Sequence, residues 1–328
     1  MKIAVVGATG LVGSVMLKVL QERGFAKEEI IVAASEKSVG KKIQFDNREL
    51  TVVSVDEAIN QKPKYAIFSA GSKVSKTYAP LFANNDTTVV DNSSCWRMDE
   101  TIPLVVPEIN IDAVKDTDRI IANPNCSTIQ MVLALFPLHR HYGIKRLVVS
   151  TYQSVTGTGV KAVKQLDNEE KGLPTEKAYP YQIFRNVLPH GGDFLPNDYT
   201  TEEMKLVNET RKILSDQTIK ITSTVARVPV VGGHSESVNI ELNKPFEMEE
   251  VKDLLRNQKG ITLLDDPQHN IYPMPTLSQD NDHVFVGRLR RDESVDNGLN
   301  MWVVADNLRK GAATNAIQIM EELINRRK

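Results

Sequence analysis

The sequence predicts an α/β protein with a Rossmann-type, doubly wound parallel sheet at its N-terminal end and a second, mixed α/β domain after it. The first observation is a Val- and Ile-rich run over residues 2–6 that leads directly into Gly7, Gly10 and Gly13. The second is the alternation of strand-like and helix-like segments up to about residue 125, which is typical of parallel sheets. Beyond about residue 140, strands become more frequent and helices fewer.

The first strand, glycine turn and helix have the layout of a dinucleotide-binding motif. The spacing is GxxGxxG instead of the commoner GxGxxG, and an amphipathic segment follows. Gly7 permits a tight turn, Gly10 lets backbone N–H groups approach a pyrophosphate, and Gly13 lets helix and strand pack closely. A glycine turn without a ligand is the alternative, and the flanking strand and helix favour nucleotide binding. The predicted cofactor residues of this turn are Gly7, Thr9, Gly10, Leu11, Val12 and Gly13.

The second strand, over residues 30–34, leads into the segment where such domains bind the adenosine ribose. An acidic residue there favours NAD, whereas basic and hydroxyl groups favour the 2′-phosphate of NADP. Ser35, Lys37 and Ser38 favour NADP, and Glu36 leaves NAD use open. A later strand, over residues 65–69, adds Gly71 and Ser72 at the same edge of the sheet.

Residues 122–131, ANPNCSTIQM, place a cysteine at the predicted first turn of a helix. Unpaired N–H groups and the partial positive charge of a helix start favour a thiolate over a thiol. The following residues, 127–138, are mostly apolar and predict a buried helix. Cys126 is therefore a candidate nucleophile, and a buried structural cysteine is the alternative.

The second part of the chain is predicted to contain strands, three helices and one long irregular connection. Thr200 or Thr201 is placed to cap a helix that ends near residue 214. Residues 172–200 are rich in Pro, Gly, Asn and Tyr and predict irregular structure. The predicted strands are 145–153, 220–231, 236–242, 283–290 and 301–305, and the other predicted helices are 160–170 and 307–326.

Composition narrows the class of protein. The 328 residues carry a formal net charge of −2, so no electrostatic footprint for nucleic acid or an anionic membrane is present. Two cysteines in a chain of this length argue against a disulfide scaffold, and a reducing cytoplasm is expected. No run is long and apolar enough to suggest a membrane span.

Eight motifs occur in order along the chain. They are GATGLVG at 7–13, NSSCWRMD at 92–99, PLVVPEIN at 103–110, NPNCSTIQM at 123–131, TYQSVTGTG at 151–159, EEMK at 202–205, RVPVVGGHSESV at 227–238 and DNLRKGAATNAIQI at 306–319. Together these motifs resemble aspartate-β-semialdehyde dehydrogenase in its shorter bacterial form, from residue 1 to the C-terminal helix. The resemblance implies a dinucleotide-binding domain over residues 1–126, a catalytic and dimerisation domain over residues 127–306, and a helix at 307–328 that packs back on the first domain.

The resemblance implies a reaction. The family reduces L-4-aspartyl phosphate with NADPH to L-aspartate 4-semialdehyde and releases inorganic phosphate, a step towards lysine, threonine, methionine and diaminopimelate. A hydride does not easily reduce an acyl phosphate directly, but a thiolate can displace phosphate to give a reducible thioester. The implied assembly is a homodimer, with a tetramer as the alternative that the sequence leaves open, and neither a metal, a nucleic acid nor a membrane is expected as a partner.

The resemblance also assigns roles to single residues. Cys126 is the nucleophile, His234 accepts and later returns a proton, and Gln153 orients the substrate. The implied substrate-binding residues are Arg97, Asn125, Glu202, Lys205 and Arg227. Thr156, Gly157 and Asn307 are the implied residues on the nicotinamide side of the cofactor.

Two rival functions stay open on the sequence. N-acetyl-γ-glutamyl-phosphate reductase shares the fold and an acyl-phosphate substrate, but its acylated nitrogen needs no carboxylate partner, which Glu202 would supply. A non-catalytic NADP-sensing regulator would not need Cys126, His234 and Arg227, yet all three are present. Cys95 stands where the family has a small residue and is interpreted as a bystander.

Overall fold

A computed structural model describes residues 1–326 of the chain. The strands are β1 (Lys2–Val6), β2 (Glu29–Ala33), β3 (Lys42–Phe45), β4 (Arg48–Thr51), β5 (Tyr65–Phe68), β6 (Thr88–Asp91), β7 (Ile120–Ala122), β8 (Ile144–Gln153), β9 (Lys220–Arg227), β10 (His234–Leu242), β11 (Ile261–Leu263), β12 (Val284–Asp292) and β13 (Gly298–Ala305). The α-helices are α1 (Leu11–Glu22), α2 (Val55–Asn60), α3 (Ser72–Ala83), α4 (Pro107–Asn110), α5 (Cys126–Tyr142), α6 (Val160–Glu170), α7 (Thr201–Ile213), α8 (Met248–Asn257), α9 (Pro275–Ser278) and α10 (Thr314–Arg326).

The chain forms two compact units, one of Met1–Asn125 with Ala312–Lys328 and the other of Cys126–Gly311. In the first unit, five parallel strands lie in the order β2-β1-β5-β6-β7. The order reverses beside β1, so the loops after β1 and β5 meet at the switch point where doubly wound sheets bind ligands.

Alternate residues of β1 point to opposite faces of this sheet, and each face is covered by helices. Ile3 and Val5 pack in one core cluster with residues of α1 and α10, whereas Ala4 and Val6 pack in another with residues of α2 and α3. Helices on both faces explain why the strands are apolar along their whole length.

The second unit is built on a six-stranded mixed sheet in the order β11-β12-β13-β10-β8-β9. Helix α5 contacts β8, β10, β12 and β13 and also packs against α7 and α8. All residues from Ser127 to Leu135 are buried, because the helix is surrounded by sheet and helices.

Several local predictions are confirmed. The structure has an α/β fold, and α5 begins at Cys126. Helix α7 follows Thr200, whose hydroxyl accepts from Glu203 N–H while the Glu203 carboxylate accepts from Thr200 N–H in a complete capping box. Residues 172–200 contain neither a helix nor a strand of the two sheets.

The predicted start of the last helix is wrong. Asn307 is not helical; a π-helical turn spans Arg309–Ala313, and the regular helix begins at Thr314. A π-turn depends on the contacts that widen it, so local propensity does not reveal it. Residues 327 and 328 of the predicted helix lie outside the described residues. Within the described part of the chain, no helix has the length and apolarity to cross a membrane.

Candidate active site

A cavity of about 440 Å³ lies in the first unit at the carboxyl ends of β1, β2 and β5. It is lined by predicted cofactor residues from two loops, and also by residues that the sequence did not single out. The predicted lining residues are Gly7, Thr9, Gly10, Ser35 and Glu36; the others are Val6, Ala34, Val55, Ser69, Ala70, Val74 and Tyr78.

Two glycines keep the first turn compact. Gly7 has a φ of +89°, and a Cβ there would lie 2.3 Å from the carbonyl oxygen of Ser69. A Cβ on Gly13 would lie 2.2 Å from the carbonyl oxygen of Gly7. The prediction that Gly13 lets α1 approach the β1 turn is therefore confirmed, and the backbone at the cavity wall is free of side-chain bulk.

The segment predicted to bind the ribose divides into lining and flanking residues. The hydroxyl of Ser38 is buried and takes a hydrogen bond from Lys41 Nζ at 3.4 Å, while Lys37 is exposed. Lys41 is a second cation next to this segment that sequence reasoning missed. Among all the predicted cofactor residues of the first unit, those that do not line the cavity are Leu11, Val12, Gly13, Lys37, Ser38, Gly71 and Ser72.

Asparagine side chains hold the segment that precedes Cys126. Asn123 donates to Asn92 Oδ1 at 2.7 Å, and Asn315 donates to Asn123 Oδ1 at 2.7 Å. Arg97 is buried and donates to the carbonyl oxygens of Asn92 and Asn123 at 2.8 and 2.9 Å. This first-unit network fixes Arg97 and the backbone leading to Cys126. Asn125 is also buried, next to Cys126 in sequence.

Cys126 occupies the first position of α5, as predicted, and it forms no disulfide bond within residues 1–326. The π-helical turn packs directly against it, because a Cβ on Gly311 would lie 3.0 Å from the Cβ of Cys126. Only glycine allows this close approach of the backbone without displacement. Gly311 is a supporting residue that the sequence motif contained but the prediction did not single out.

Gln153 and His234 are tied to the first turns of the same helix. Gln153 Nε2 donates to Ser127 Oγ at 2.9 Å, and Gln130 Nε2 donates to the carbonyl oxygen of His234 at 3.2 Å. The backbone N–H of Ser154 donates to His234 Nδ1 at 3.0 Å. The predicted catalytic side chains are thus linked through Ser127, Gln130 and Ser154, none of which was predicted.

The His234 ring is fully buried and neutral over the physiological range. Burial lowers the pKa of His234 to about 3, with a further lowering by Arg227, while Glu202 and the Gly233 carbonyl act in the opposite direction. Because Nδ1 accepts a hydrogen bond, the neutral ring carries its proton on Nε2, which has no hydrogen-bond partner among residues 1–326. The ring is therefore arranged to donate; accepting a thiol proton requires the other tautomer and loss of the Ser154 bond.

Arg227 lies at the end of β9 and is buried beside the glycine-rich turn. Its Nη1 donates to the carbonyl oxygen of Ser154 at 3.2 Å. A Cβ on Gly157 would lie 2.7 Å from this Nη1 and 3.1 Å from His234 Nε2. Gly157 therefore provides the space that Arg227 and His234 occupy, a steric role the sequence did not reveal.

Glu202 and Lys205 form an ion pair on the first turns of α7, with 2.9 Å between Lys205 Nζ and Glu202 Oε2. The pair is less exposed than a surface pair of this spacing, since the Glu202 side chain is only 10% accessible. Gly191, in the irregular segment, packs on it: a Cβ there would lie 3.0 Å from Glu202 Cβ. Glu202 is thus oriented by its helix and by this covering segment.

Thr156 of the glycine-rich turn and Asn307, both predicted to contact the cofactor, are joined by a hydrogen bond. Thr156 Oγ1 donates to Asn307 Oδ1 at 2.9 Å and lies 2.7 Å from Ser154 Oγ. This brings Thr156 and Asn307 together although 151 positions separate them in sequence.

Cys95 is a free thiol in the first unit, and burial, then the Asp91 charge, raises its pKa, which keeps it protonated.

Comparison with known proteins identifies both parts of the chain. The family model described as semialdehyde dehydrogenase, NAD binding domain, matches residues 2–117, and the model described as semialdehyde dehydrogenase, dimerisation domain, matches residues 135–310. An aspartate-semialdehyde dehydrogenase from Aquifex aeolicus is 50% identical over 98% of both chains. The enzyme of the same name from Bacillus subtilis is 44% identical over 98% of this chain and 96% of its own.

Solved structures agree with the sequence comparison. Aspartate semialdehyde dehydrogenase II from Vibrio cholerae, complexed with ASA, superposes with a TM-score of 0.93 at 44% identity, covering 99% of this chain and 98% of its own. The Candida albicans enzyme with NADP has a TM-score of 0.77 at 26% identity, covering 98% and 97%.

A nicotinamide-nucleotide-binding domain followed by a semialdehyde dehydrogenase dimerisation domain defines an oxidoreductase. The chain belongs to the aspartate-semialdehyde dehydrogenase family, whose members are enzymes of amino-acid biosynthesis.

Gly157→Ala is expected to raise KM if Arg227 has the substrate-binding role that the sequence predicts. The new methyl group displaces the Arg227 guanidinium or the His234 ring, and loss of a charge-assisted hydrogen bond costs about 1.5–3 kcal/mol, or roughly 10- to 100-fold in KM. Steady-state kinetics with aspartate semialdehyde measures the effect. Gly172→Ala is the control, because no atom of residues 1–326 lies within 4 Å of its Cβ position; its φ of +66° strains the backbone, so it shows whether strain away from the site alters KM, and it should leave KM unchanged. A wild-type KM for Gly157→Ala would contradict the steric role.

Proposed function

We propose that the protein is an NADP-dependent aspartate-semialdehyde dehydrogenase that reduces L-4-aspartyl phosphate through a thioester on Cys126. The observation that carries this proposal is the second-unit cluster: Cys126 at a buried helix start, with Gln153 and His234 hydrogen-bonded to the first turns of that helix. An acyl phosphate needs a nucleophile, and a helix start favours the thiolate.

The thiolate of Cys126 attacks the acyl carbonyl carbon, a C–S bond forms, and the C–O bond to phosphate breaks. The proton on His234 Nε2 is positioned as a hydrogen-bond donor to oxygen charge that develops at this carbon. The neutral state of the ring also makes it the acceptor when the thiol proton must leave, after the tautomer changes. When the later thiohemiacetal collapses, the C–S bond breaks, which regenerates the Cys126 thiolate and releases the aldehyde.

Charged side chains match the polar groups of the substrate. The planar guanidinium of Arg227 suits the α-carboxylate, and Glu202 suits the ammonium group. Lys205 and Arg97 are proposed to bind phosphate, with Asn125 assisting. Before the substrate binds, Glu202 and Lys205 neutralise each other's charge. On binding, Glu202 would pair with the substrate ammonium group and Lys205 with the phosphate.

The cavity of the first unit fits a nicotinamide dinucleotide. Gly7 and Gly10 line it without side chains, and the backbone at the β1 turn is open to a pyrophosphate. The proposed cofactor is NADP, bound there by the residues predicted from the sequence and, on its nicotinamide side, by Thr156, Gly157 and Asn307; bound NADPH supplies the hydride. Ser35, Lys37, Ser38 and the neighbouring Lys41 support the 2′-phosphate, whereas Glu36 opposes it and leaves some NAD use possible.

The decisive experiment is phosphate-dependent reduction of NADP by L-aspartate semialdehyde, with N-acetylglutamate semialdehyde assayed in parallel. Cys126→Ala is expected to lower turnover by roughly 10³-fold or more, as loss of a catalytic nucleophile does, while NADPH binding persists. Cys95→Ala is the matched control for removal of a thiol and should retain activity.

Each result of this assay has one meaning. Activity with aspartate semialdehyde alone supports the proposed substrate. Activity only with the acetylated aldehyde would assign the protein to the rival reductase, and no activity with either, in a protein that binds NADPH, would favour a regulator. Substantial turnover by Cys126→Ala would remove Cys126 from the nucleophile role.

Lys37→Ala is expected to lower the preference for NADP over NAD by about tenfold, because it removes one cation from the proposed 2′-phosphate site. The ratio of kcat/KM for the two cofactors measures this preference. Glu36→Ala should shift the ratio in the opposite direction. Lys42→Ala, on the neighbouring hairpin, is the control. An unchanged ratio for Lys37→Ala would mean that other residues bind the 2′-phosphate.

We further propose that two copies associate through the exposed face of the six-stranded sheet. Tyr152 and Trp302 lie on this face with their ring centroids 5.4 Å apart, beside a cavity of about 410 Å³ that includes Met274 and Arg290. Partly exposed aromatic and methionine side chains are typical of interface cores. Light scattering is expected to give twice the mass of one chain, and a monomer at micromolar concentration would contradict the proposal.

The proposed setting is the cytoplasm, whose reducing conditions keep a catalytic thiol available. The proposed product leads towards lysine, threonine, methionine and diaminopimelate.

A further inference from the structure

A carboxyl group lies buried in the second unit, two residues beyond His234 on β10. Glu236 is 0% exposed and lies opposite Thr151 of β8 and Val303 of β13. Residues two apart on a strand share a face, so Glu236 and His234 point to the same side of the sheet. Within residues 1–326, neither carboxyl oxygen of Glu236 has a hydrogen bond or an ion pair.

Two polar side chains of α5 act on this carboxyl group. Gln130 and Ser127 approach closely enough to lower the pKa of Glu236, but burial outweighs them and holds that pKa well above its usual value. These are the same side chains that bond the catalytic residues: Gln130 donates to His234 O, and Ser127 accepts from Gln153 Nε2. Gln130 and Ser127 therefore connect Glu236 to His234 and Gln153, respectively.

The hydrogen-bonding inventory of the cluster favours a neutral carboxylic acid. The buried oxygens without a partner include Gln130 Oε1, Gln153 Oε1 and Thr151 Oγ1. Two of these are amide oxygens, which only accept. An ionised Glu236 would add two more acceptors beside these amide oxygens, whereas a protonated one adds an O–H donor for one of them. A buried carboxylate without a cation is also strongly disfavoured.

We propose that Glu236 is a positioning residue whose neutral carboxylic acid O–H donates to Gln130 Oε1, which is otherwise unpartnered within the described residues, and so fixes the amide that bonds the main chain of His234. The role is defined for the reaction given under the proposed function. Glu236 does not reach the substrate itself, because its side chain is enclosed by strands and helix. Its effect is on the orientation of the groups that do.

The test compares three variants of the full chain. Glu236→Gln keeps the shape and an N–H donor without the ability to ionise, and it should retain kcat within about threefold. Glu236→Leu removes all hydrogen bonding and should lower kcat by about tenfold or more, with a smaller change in KM, since misplaced catalytic groups affect the chemical step most. Ile240→Ala is the control, since Ile240 lies on the same face of β10 and is equally buried. This variant removes packing but no polar group. It should keep the wild-type kcat even when its melting temperature is as low as that of Glu236→Leu.

Two kinetic results would overturn the proposal. Wild-type kcat in folded Glu236→Leu would show that the side chain positions nothing. An equal loss in Glu236→Gln and Glu236→Leu would show that an ionisable carboxyl group is required. If Glu236→Leu does not fold, the Glu236→Gln variant still decides between a neutral and an ionised side chain.

An infrared measurement tests the neutral state without turnover. The difference spectrum of wild type minus Glu236→Gln at pH 8 should contain the carbonyl stretch of a protonated carboxylic acid. Its absence would overturn the proposal even if the enzyme is active with aspartate semialdehyde. Its presence in a protein that lacks this activity would support the neutral carboxyl group while the proposed function fails, so the two are tested separately.

Discussion

Burial of the first turns of α5 from Ser127 onward is the constraint on which the site depends. A helix surrounded by sheet and helices has no solvent to satisfy polar groups near its start, so each such group needs a partner from a neighbouring strand. Ser127 and Gln130 are therefore bonded to Gln153 and to His234. The need to satisfy buried polar groups thus holds the start of the helix that carries Cys126, and it also fixes Gln153 and His234 beside that helix.

Close backbone approach is the second way in which the site is held together. Glycine allows main chain to lie against Cys126, against Arg227 and His234, and against Glu202; the three positions are Gly311, Gly157 and Gly191. None has a side chain that could take part in the chemistry. Each removes a Cβ that would displace a functional side chain, so steric exclusion and hydrogen bonding act together in positioning the charged groups.

The sequence predicted those features that local physics determines. The β1–glycine–α1 turn, the helix start at Cys126 and the capping box at Thr200 depend on residues within a few positions of one another, and the structure has all three. The substrate and cofactor roles came from motif resemblance and stay predictions. The tautomer of His234 could not be predicted, because it depends on the Ser154 N–H, 80 positions away. Likewise, the isolation of Glu236 and the π-turn at Gly311 depend on non-local packing.

The electrostatics of His234 connect substrate binding to proton transfer. Burial is the main reason that its pKa is low, and the charge of Arg227 is the second. Under the proposed function, the substrate carboxylate pairs with Arg227 and compensates part of that charge. The substrate ammonium, by pairing with Glu202, removes part of the opposite effect, but Arg227 is the larger influence of the two. The ring therefore becomes a stronger base once the substrate is bound than in the free enzyme, where it stays neutral and its Nε2 proton is available for donation. The arginine proposed to recognise the substrate would thereby adjust the proton affinity of the histidine beside it, and this coupling requires no movement of either element.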